Sequence, residues 1–219
     1  MRMIKGFLQK AKLGGATNST FLALIPKETN PASFDRFRPI SLCNASYKII
    51  EKLLANRIKP LLGKLISDSQ GGFVKGRHIL DNVILVQEAM HSSKLRKEKG
   101  MLIKLDMANA FNRVKLPFLY QVLLSFGFEQ EFVNLIQACT HSPWIAPLVN
   151  GRPTEFFKSL RGLRKGCPLS PFLYILMADS LSRKLEQERL IGVVPGLRIT
   201  KYLKPINHAL FADDSLMLG

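Results

Sequence analysis

The stretch ALFADDSLML, from Ala209 to Leu218, places two adjacent acids between two apolar runs. Such a pattern predicts a strand, a turn at Asp213 and Asp214, and a returning strand. Asp is a common turn residue, so the pair could be no more than a polar hairpin turn. Adjacent carboxylates also repel each other unless a cation lies between them, which makes the pair a candidate metal site.

A third acid follows another apolar run. The segment MLIKL, Met101–Leu105, has the length and apolarity of a buried strand, and Asp106 ends it. A sheet that contains both segments could bring Asp106, Asp213 and Asp214 together. Hard oxygen ligands suit Mg²⁺. Two such ions stabilise the attacking and leaving oxygens of a phosphoryl displacement.

The remaining elements follow from periodicity and turn residues. Segment Ser46–Leu65 predicts a helix that Pro60 kinks or ends, and Ile79–Leu95 predicts a second helix with Ile84, Leu85 and Met90 inward. Further along we expect helices at Pro117–Phe126, Glu129–Cys139 and Ser170–Leu185, and strands at Trp144–Val149 and Glu155–Lys158 joined by an Asn150-Gly151 turn. A Gly-containing basic loop, Leu160–Pro168, precedes the last helix. This mixed order indicates an α+β fold.

The charge balance indicates a polyanionic partner. The chain has 32 Lys and Arg against 16 Asp and Glu, a formal net charge of +16. Nucleic acid is the first candidate and an anionic membrane surface the second. The longest apolar stretch, Pro171–Ala178, is far shorter than the roughly 20 residues that a membrane-spanning helix needs, so no membrane partner is expected.

The cysteines indicate a reducing environment. Cys43, Cys139 and Cys167 are odd in number and show no C-x-x-C spacing. This argues against a disulfide framework or a zinc site, so no disulfide partner is expected.

Six ordered blocks carry a resemblance to a known family. They are LIPK (Leu24–Lys27), FRPISLCNASYKIIEKLLANRI (Phe37–Ile58), QGGFVKGRHILDNVILVQE (Gln70–Glu88), KLDMANAFNRV (Lys104–Val114), VNGRPTEFFKSLRGLRKGCPLSPFLY (Val149–Tyr174) and HALFADDSLML (His208–Leu218). In this order the chain resembles the reverse-transcriptase domain of non-LTR (LINE-type) retrotransposons, especially plant copies.

The resemblance implies a fold, a reaction and partners. The fold would be the fingers and palm of a right-hand polymerase with a ferredoxin-like palm sheet. Residues 1–100 would hold an N-terminal extension and fingers, and 101–219 the palm with interleaved finger elements; endonuclease and thumb would be absent. The activity would be RNA-directed DNA polymerisation in retrotransposition, with an RNA template, a DNA primer and dNTPs, in the nucleus or cytoplasm.

The resemblance also implies residue roles. Asp106, Asp213 and Asp214 match the catalytic acids that bind two Mg²⁺ ions, with Mn²⁺ as the alternative. Phe111 matches the bulky gate that excludes a ribose 2′-hydroxyl. Arg77, its neighbour Lys75, and Lys165 fall where such enzymes contact the incoming nucleotide.

Several positions depart from the family pattern. Lys165 and Cys167 stand where the family has Gln and Asp, in GLRKGCPLSP against GLRQGDPLSP. Asn112 replaces a usual Asp, and Asn109 a frequent Lys. These changes leave a catalytically silent nucleic-acid-binding remnant as the alternative function. A group II intron maturase is a further alternative, but the sequences RPISL and GFVKGR fit a LINE-type reverse transcriptase better.

Overall fold

The computed structural model describes residues 2–141 and 143–219. They form two compact units, each made of two separate stretches of chain. The first unit contains the described residues through Ile58 together with Phe111–Leu173, and the second contains Lys59–Ala110 and Tyr174–Gly219. This division does not follow a boundary at residue 100, and the fingers and palm assignment stays a prediction.

The first unit combines helices with a mixed sheet. In chain order it contains α1 (Arg2–Lys10), α2 (Gly15–Asn18), β1 (Ser19–Pro26), a 3₁₀ turn (Phe34–Arg36), β2 (Phe37–Cys43), α3 (Ala45–Ile58), nearly all of α6 (Ala110–Arg113), α7 (Leu116–Ser125), α8 (Gln130–Thr140), β4 (Trp144–Val149), β5 (Arg152–Pro153) and β6 (Phe157–Lys158). The elements numbered between these, α4 (Leu62–Leu65), α5 (Ile79–Leu95) and β3 (Leu102–Asp106), belong to the second unit.

The sheet of the first unit has the order β2-β1-β4-β5, with β6 also paired to β4. Strand β1 is antiparallel to β2 and parallel to β4. Asn150 and Gly151 both have positive φ, 51° and 76°, the conformation of the two central residues of a type I′ turn. The predicted hairpin turn is therefore confirmed, although its second arm is split into the short strands β5 and β6.

Helix α3 shows how the core of the first unit forms. Tyr47, Ile50, Leu54 and Ile58 recur at helical spacing and are almost completely buried. The helix ends at Ile58, and a 3₁₀ turn, Lys59–Leu61, contains Pro60. The prediction that Pro60 ends the helix is confirmed, because proline cannot donate the backbone hydrogen bond that would continue it.

The second unit is built around a three-stranded antiparallel sheet. It contains α4 (Leu62–Leu65), α5 (Ile79–Leu95), β3 (Leu102–Asp106), most of α9 (Ser170–Leu190), β7 (His208–Phe211) and β8 (Asp214–Leu218). The strand order is β3-β8-β7. One core cluster joins Val86 and Ala89 of α5 to Ala209 of β7, Leu218 of β8 and Leu197. The sheet and its helices confirm the α+β class.

Two predictions about burial in this unit are wrong. Met101–Leu105 lies in and beside β3 as expected, but every residue of that strand is exposed, because the core cluster described above packs against β7 and β8 and includes no residue of β3. Helix α5 also has its expected bounds, yet Ile84, Leu85 and Met90 point outward. The buried face carries the smaller residues Val86 and Ala89, which fit closely against the sheet.

Candidate active site

The pairing of β3 with β8 brings two of the three predicted acids together. Asp106 and Asp214 are direct partners in the antiparallel register, so their side chains project from the same face of the sheet. Asp213 lies in the two-residue turn between β7 and β8. Asp106 and Asp214 are exposed and Asp213 is half-buried. All three acids therefore lie at one end of one sheet.

The donor set fits a divalent metal chemically, because carboxylate oxygens are the ligands that Mg²⁺ prefers. The side chains do not converge into a closed site: in the described part of the chain, no three or more His, Cys, Asp or Glu residues form a group that could hold a metal ion. Asp106 and Asp214 share a face, whereas the Asp213 side chain leaves the turn one position earlier.

The hairpin turn has an unusual backbone that a buried side chain stabilises. Ala212 has φ of 55°, a left-handed conformation that costs energy in a residue with a Cβ. The side chain of Gln70, fully buried, contacts both polar groups of Ala212. Its Oε1 accepts the Ala212 N–H at 2.8 Å, and its Nε2 donates to the Ala212 carbonyl at 3.4 Å.

The segment around Gln70 also pairs with strand β7. The Leu210 N–H donates to the Ser69 carbonyl at 2.7 Å, and the Gly71 N–H donates to the Leu210 carbonyl at 2.8 Å. Gln70 Oε1 accepts a second bond from the Gly72 N–H, also at 2.8 Å. Residues 69–72 therefore hold the hairpin that carries Asp213 and Asp214, and we call them the clamp segment.

Gly72 is required by close packing rather than by its backbone angles. A Cβ built on Gly72 would lie 2.5 Å from the Ala212 nitrogen. Its φ is not positive, so the constraint is space alone. The absence of a side chain lets the clamp segment lie directly against the turn.

Tyr174 adds an electrostatic contact near Asp213. The ring is buried on α9, and its hydroxyl donates to Met107 Sδ at 3.6 Å. Burial, with a smaller contribution from the negative charge of Asp213, raises the pKa of Tyr174 to about 12. The phenol thus stays protonated near the carboxylate over the whole physiological range.

A buried polar network begins strand β7. His208 Nε2 lies 2.6 Å from Ser182 Oγ and 2.8 Å from Ser69 Oγ, and His208 Nδ1 lies 2.6 Å from Asn207 Oδ1. Burial lowers the pKa of His208, so the neutral ring is favoured. This network joins the clamp segment, α9 and β7 within the second unit.

Arg77 and Lys75 belong to the loop that follows the clamp segment. The Arg77 guanidinium donates to the carbonyls of Ser67, Gln70 and Ile66, the last at 3.1 Å, and pairs with Asp68 at 3.3 Å. In this structure Arg77 therefore supports the loop that carries Gln70. Lys75 is exposed. That either residue contacts a triphosphate stays a prediction.

Phe111 and Lys165, the other predicted nucleotide-contact residues, lie in the first unit. The Leu163 N–H donates to the Phe111 carbonyl at 2.8 Å, which joins the basic loop to α6. Gly162 has φ of 91°, and a Cβ there would lie 2.9 Å from the Asn112 carbonyl oxygen. Lys165 lines a cleft of about 290 Å³ that Asn112 and Arg161 also line. The structure thus brings the Phe111 and Lys165 segments together.

Sequence reasoning missed Gln70, Gly72 and Tyr174 as parts of the site. All three lie inside segments that carry the family resemblance, QGGFVKGR and SPFLY, so the sequence showed which residues they are but not what they contact. None is charged, and the turn atoms that Gln70 and Gly72 contact are backbone atoms of Ala212, 142 and 140 positions away. No local pattern predicts such a contact.

The exposed face of α3 carries positive charge. Lys48, Lys52 and Arg57 line a surface groove of about 640 Å³ together with Ile49, Leu53, Asn56 and Pro168. Among the described residues, no acid lines this groove. In the part of the chain that the structure describes, no helix is long and apolar enough to cross a membrane.

Comparison with known proteins gives a family match. Residues 25–219 match the family model described as "Reverse transcriptase (RNA-dependent DNA polymerase)". The chain is 29% identical over 221 residues to the transposon TX1 uncharacterized 149 kDa protein of Xenopus laevis. This match covers 100% of this chain and 16% of that protein. The chain is also 29% identical over 195 residues to the Retrovirus-related Pol polyprotein from type-2 retrotransposable element R2DM of Drosophila melanogaster, covering 89% of this chain and 18% of that protein. The chain thus spans less than a fifth of the length of these two relatives.

A solved structure supports the same fold. The telomerase of Candida albicans, determined in complex with a fragment of telomeric RNA, superimposes with a TM-score of 0.58 and 11% sequence identity. The match covers 99% of this chain and 40% of that chain. At this level of identity the likeness concerns the fold, and it confirms the right-hand polymerase class.

Proposed function

The chain belongs to the reverse transcriptase (RNA-dependent DNA polymerase) family, and from this membership we propose that it catalyses nucleotidyl transfer on an RNA template. In the reaction the 3′-oxygen of a DNA primer bonds to the α-phosphorus of a dNTP. The bond from that phosphorus to the bridging oxygen breaks, pyrophosphate leaves, and the 3′-hydroxyl loses its proton. Because the relatives are proteins of transposable elements, we propose that the reaction serves retrotransposition and takes place in the nucleus or cytoplasm.

One observation carries this proposal: the in-register pairing of Asp106 with Asp214 beside the Asp213 turn. Two carboxylates on one face and a third at the adjacent turn concentrate negative charge at one end of a sheet. The chain as a whole is strongly basic. A carboxylate group of this kind inside a cationic protein is suited to divalent metal ions rather than to direct phosphate contact.

Members of this family use divalent metals, and we assign Asp106, Asp213 and Asp214 as the ligands of two Mg²⁺ ions. When bound, these ions stabilise the charge on the attacking and leaving oxygens. The protein positions the carboxylates: Gln70 holds the Ala212 backbone, and the position of Ala212 fixes the backbone from which the Asp213 and Asp214 side chains extend.

The incoming dNTP is assigned to residues that the family resemblance identifies. Phe111 would exclude a ribose 2′-hydroxyl. Lys165 would contact the nucleotide by donating hydrogen bonds, since an ammonium group has no acceptor. Arg77 and Lys75 are the proposed triphosphate contacts. For Arg77 this role requires that it leave some of the carbonyls that it now binds.

The basic face of α3 is the proposed docking surface for the phosphate backbone of template or primer. Lys48, Lys52 and Arg57 lie on one exposed side of the helix without an acid among the groove residues. Neutralising phosphates with Lys and Arg gives binding that is tolerant of sequence and sensitive to salt. A polymerase that takes its sequence from a template needs binding of this kind.

The test is single-nucleotide addition to a DNA primer annealed to an RNA template, with and without Mg²⁺. We expect Mg²⁺-dependent extension by the parent chain and a loss of at least about 100-fold in Asp213→Asn, since charge stabilisation in the transition state is the largest catalytic contribution. Glu155→Gln, an equal charge change at an exposed residue of the first unit, is the matched control and should extend normally.

Binding of the same duplex is measured in parallel. If the parent and Asp213→Asn extend the primer equally, or neither extends it while both bind the duplex, catalysis by this chain is disproved. The second of these results would identify a nucleic-acid-binding remnant.

A further inference from the structure

Two cysteines in the first unit lie in direct contact. Cys43 ends β2, Cys167 lies in the basic loop before α9, and their Sγ atoms are 3.1 Å apart. Both are free thiols. A disulfide bond is about 2.0 Å long, so a movement of about 1 Å would join the two sulfurs. The two residues are 124 positions apart in the sequence, so the fold and not the local chain brings them together.

Backbone contacts hold this arrangement. The Ser41 N–H donates to the Lys165 carbonyl at 2.9 Å, and Cys43 and Cys167 each follow two positions later. Gly166, between Lys165 and Cys167, has φ of 89°, and a Cβ there would make ordinary contacts with Ile40 and Ser41. The loop therefore runs alongside β2, and the two sulfurs meet because their backbones are already side by side.

The two thiols differ in reactivity. Cys43 is half-buried, whereas Cys167 is only 4% exposed. The hydrogen bond from Cys167 lowers the pKa of Cys43 to about 6, helped by the Thr20 hydroxyl at 3.1 Å and the positive charge of Arg164, against the opposing effect of burial. The same hydrogen bond, together with burial, raises the pKa of Cys167.

We propose that Cys43 and Cys167 form a reversible disulfide by exchange with a low-molecular-weight disulfide such as oxidised glutathione. The Cys43 thiolate attacks one glutathione sulfur, and the first glutathione leaves as its thiolate. The sulfur of Cys167 then attacks Cys43 in this mixed disulfide, and the second glutathione leaves. The two protons of the protein thiols end on the two glutathione thiols, so one glutathione disulfide is reduced for each bond formed.

The bond would join the basic loop covalently to β2. That loop carries Arg164, whose guanidinium is buried and donates to Asn18, and Lys165, which lines the cleft of the first unit. Oxidation would thus fix the position of these two basic side chains relative to the sheet. The cysteine chemistry does not depend on polymerase activity, so it goes beyond the proposed function and can be tested without it.

Cys139 provides an internal control. It is completely buried in α8, and burial raises the pKa of its thiol. A buried, protonated thiol is a poor nucleophile unless a mixed disulfide lies directly beside it, and among the described cysteines only Cys167 lies against Cys43. Cys139 should therefore remain reduced when the other two cysteines are oxidised.

The experiment exposes the folded, fully reduced chain to oxidised glutathione, then blocks the remaining thiols after denaturation and identifies the peptides by mass spectrometry. We expect the number of free thiols to fall from three to one, with Cys43 linked to Cys167 in the same chain and Cys139 blocked. Dithiothreitol should restore all three thiols. Cys139→Ser should give the same linked peptide as the parent.

Single variants separate the two chemical steps. Cys167→Ser should stop at the mixed disulfide of Cys43 with glutathione, and Cys43→Ser should form neither product. Thermal unfolding of the reduced variants establishes that both are folded. The proposal is overturned if the folded parent keeps three thiols, if Cys139 appears in the linked peptide, or if the bond joins two chains.

Discussion

A methyl group at Gly72 would test whether the clamp segment positions the paired acids. In Gly72→Ala the new Cβ would lie 2.5 Å from the Ala212 nitrogen and 3.1 Å from both Ala212 Cα and Gln70 Oε1. Ordinary contact begins near 3.4 Å, so the turn must move by about 0.9 Å. The closest atom is backbone, which cannot rotate away as a flexible side chain would.

The size of the effect follows from that displacement. Overpacking of this kind costs roughly 1–3 kcal/mol of unfolding free energy. For a chain of this length that corresponds to a melting temperature lower by about 2 to 12 °C. A displacement of about 1 Å in a catalytic group lowers the rate by about 100-fold. We therefore expect Gly72→Ala to remain folded at room temperature and to lose most primer extension while it still binds the duplex.

Gly63→Ala is the matched control. Gly63 lies in the short helix α4 of the same unit, and a Cβ there would meet no atom within 4 Å. Alanine at such a position should raise the unfolding free energy by up to about 1 kcal/mol. The assay compares melting temperature and single-nucleotide addition for parent and both variants. If Gly72→Ala melts and extends primer like Gly63→Ala, the clamp segment does not position the turn.

Three further perturbations follow from buried and charged groups. Burial raises the pKa of Glu51 from 4.5 to about 7, so its stabilising contribution is complete below about pH 4.5 and is lost as the pH rises through about 7. Glu51→Gln should match the parent at pH 4 and be up to about 3 kcal/mol more stable at pH 8, from about 1.36 kcal/mol per pH unit between the two pKa values; equal pH profiles in urea unfolding would contradict this. Gln70→Leu leaves two buried N–H donors without their acceptor and should lower the unfolding free energy, measured by urea unfolding, by roughly 2 kcal/mol or more. A loss below about 0.5 kcal/mol would show that Gln70 does not stabilise the turn by accepting these hydrogen bonds. Replacing Lys48 and Lys52 together by Gln should weaken duplex binding and reduce its logarithmic salt slope by about 2, whereas Lys201→Gln should leave both unchanged; an unaltered slope would exclude the α3 face as a phosphate contact.

Local patterns predicted the elements whose causes are local. The end of α3 before Pro60 and the Asn150-Gly151 turn agree with the structure because each depends on a few adjacent residues. The predicted strand–turn–strand hairpin also formed, but its two turn residues are Ala212 and Asp213, and Asp214, which was predicted to lie in the turn, begins β8. In each of these cases a backbone restriction or a turn preference is encoded at the place where it acts.

Elements that depend on distant partners were not predicted. Strands β1 and β2 went unrecognised. Strand β1 (STFLALIP) is completed by parallel pairing with β4, more than 120 positions later, and β2 (FRPISLC) contains Pro39, a residue that disfavours a strand assignment. The inward face of α5 was assigned wrongly for a related reason. Apolar residues occur on both of its sides, so only the shape of the sheet that it contacts selects Val86 and Ala89 over the larger Ile84 and Leu85.

The site divides in the same way between chemistry and support. The three acids are exposed or half-buried, and their motif identifies them because charge is scarce and conspicuous in a basic chain. The groups that hold the turn are uncharged, and their contacts are to backbone atoms, so any residue except proline in place of Ala212 would present the same N–H and carbonyl to Gln70. A copy of this domain with an intact FADD motif and an altered Gln70 or Gly72 should therefore lose primer extension although its three aspartates remain. Retention of the three aspartates is therefore not sufficient for activity, because the turn that carries them also requires Gln70 and Gly72 of the clamp segment.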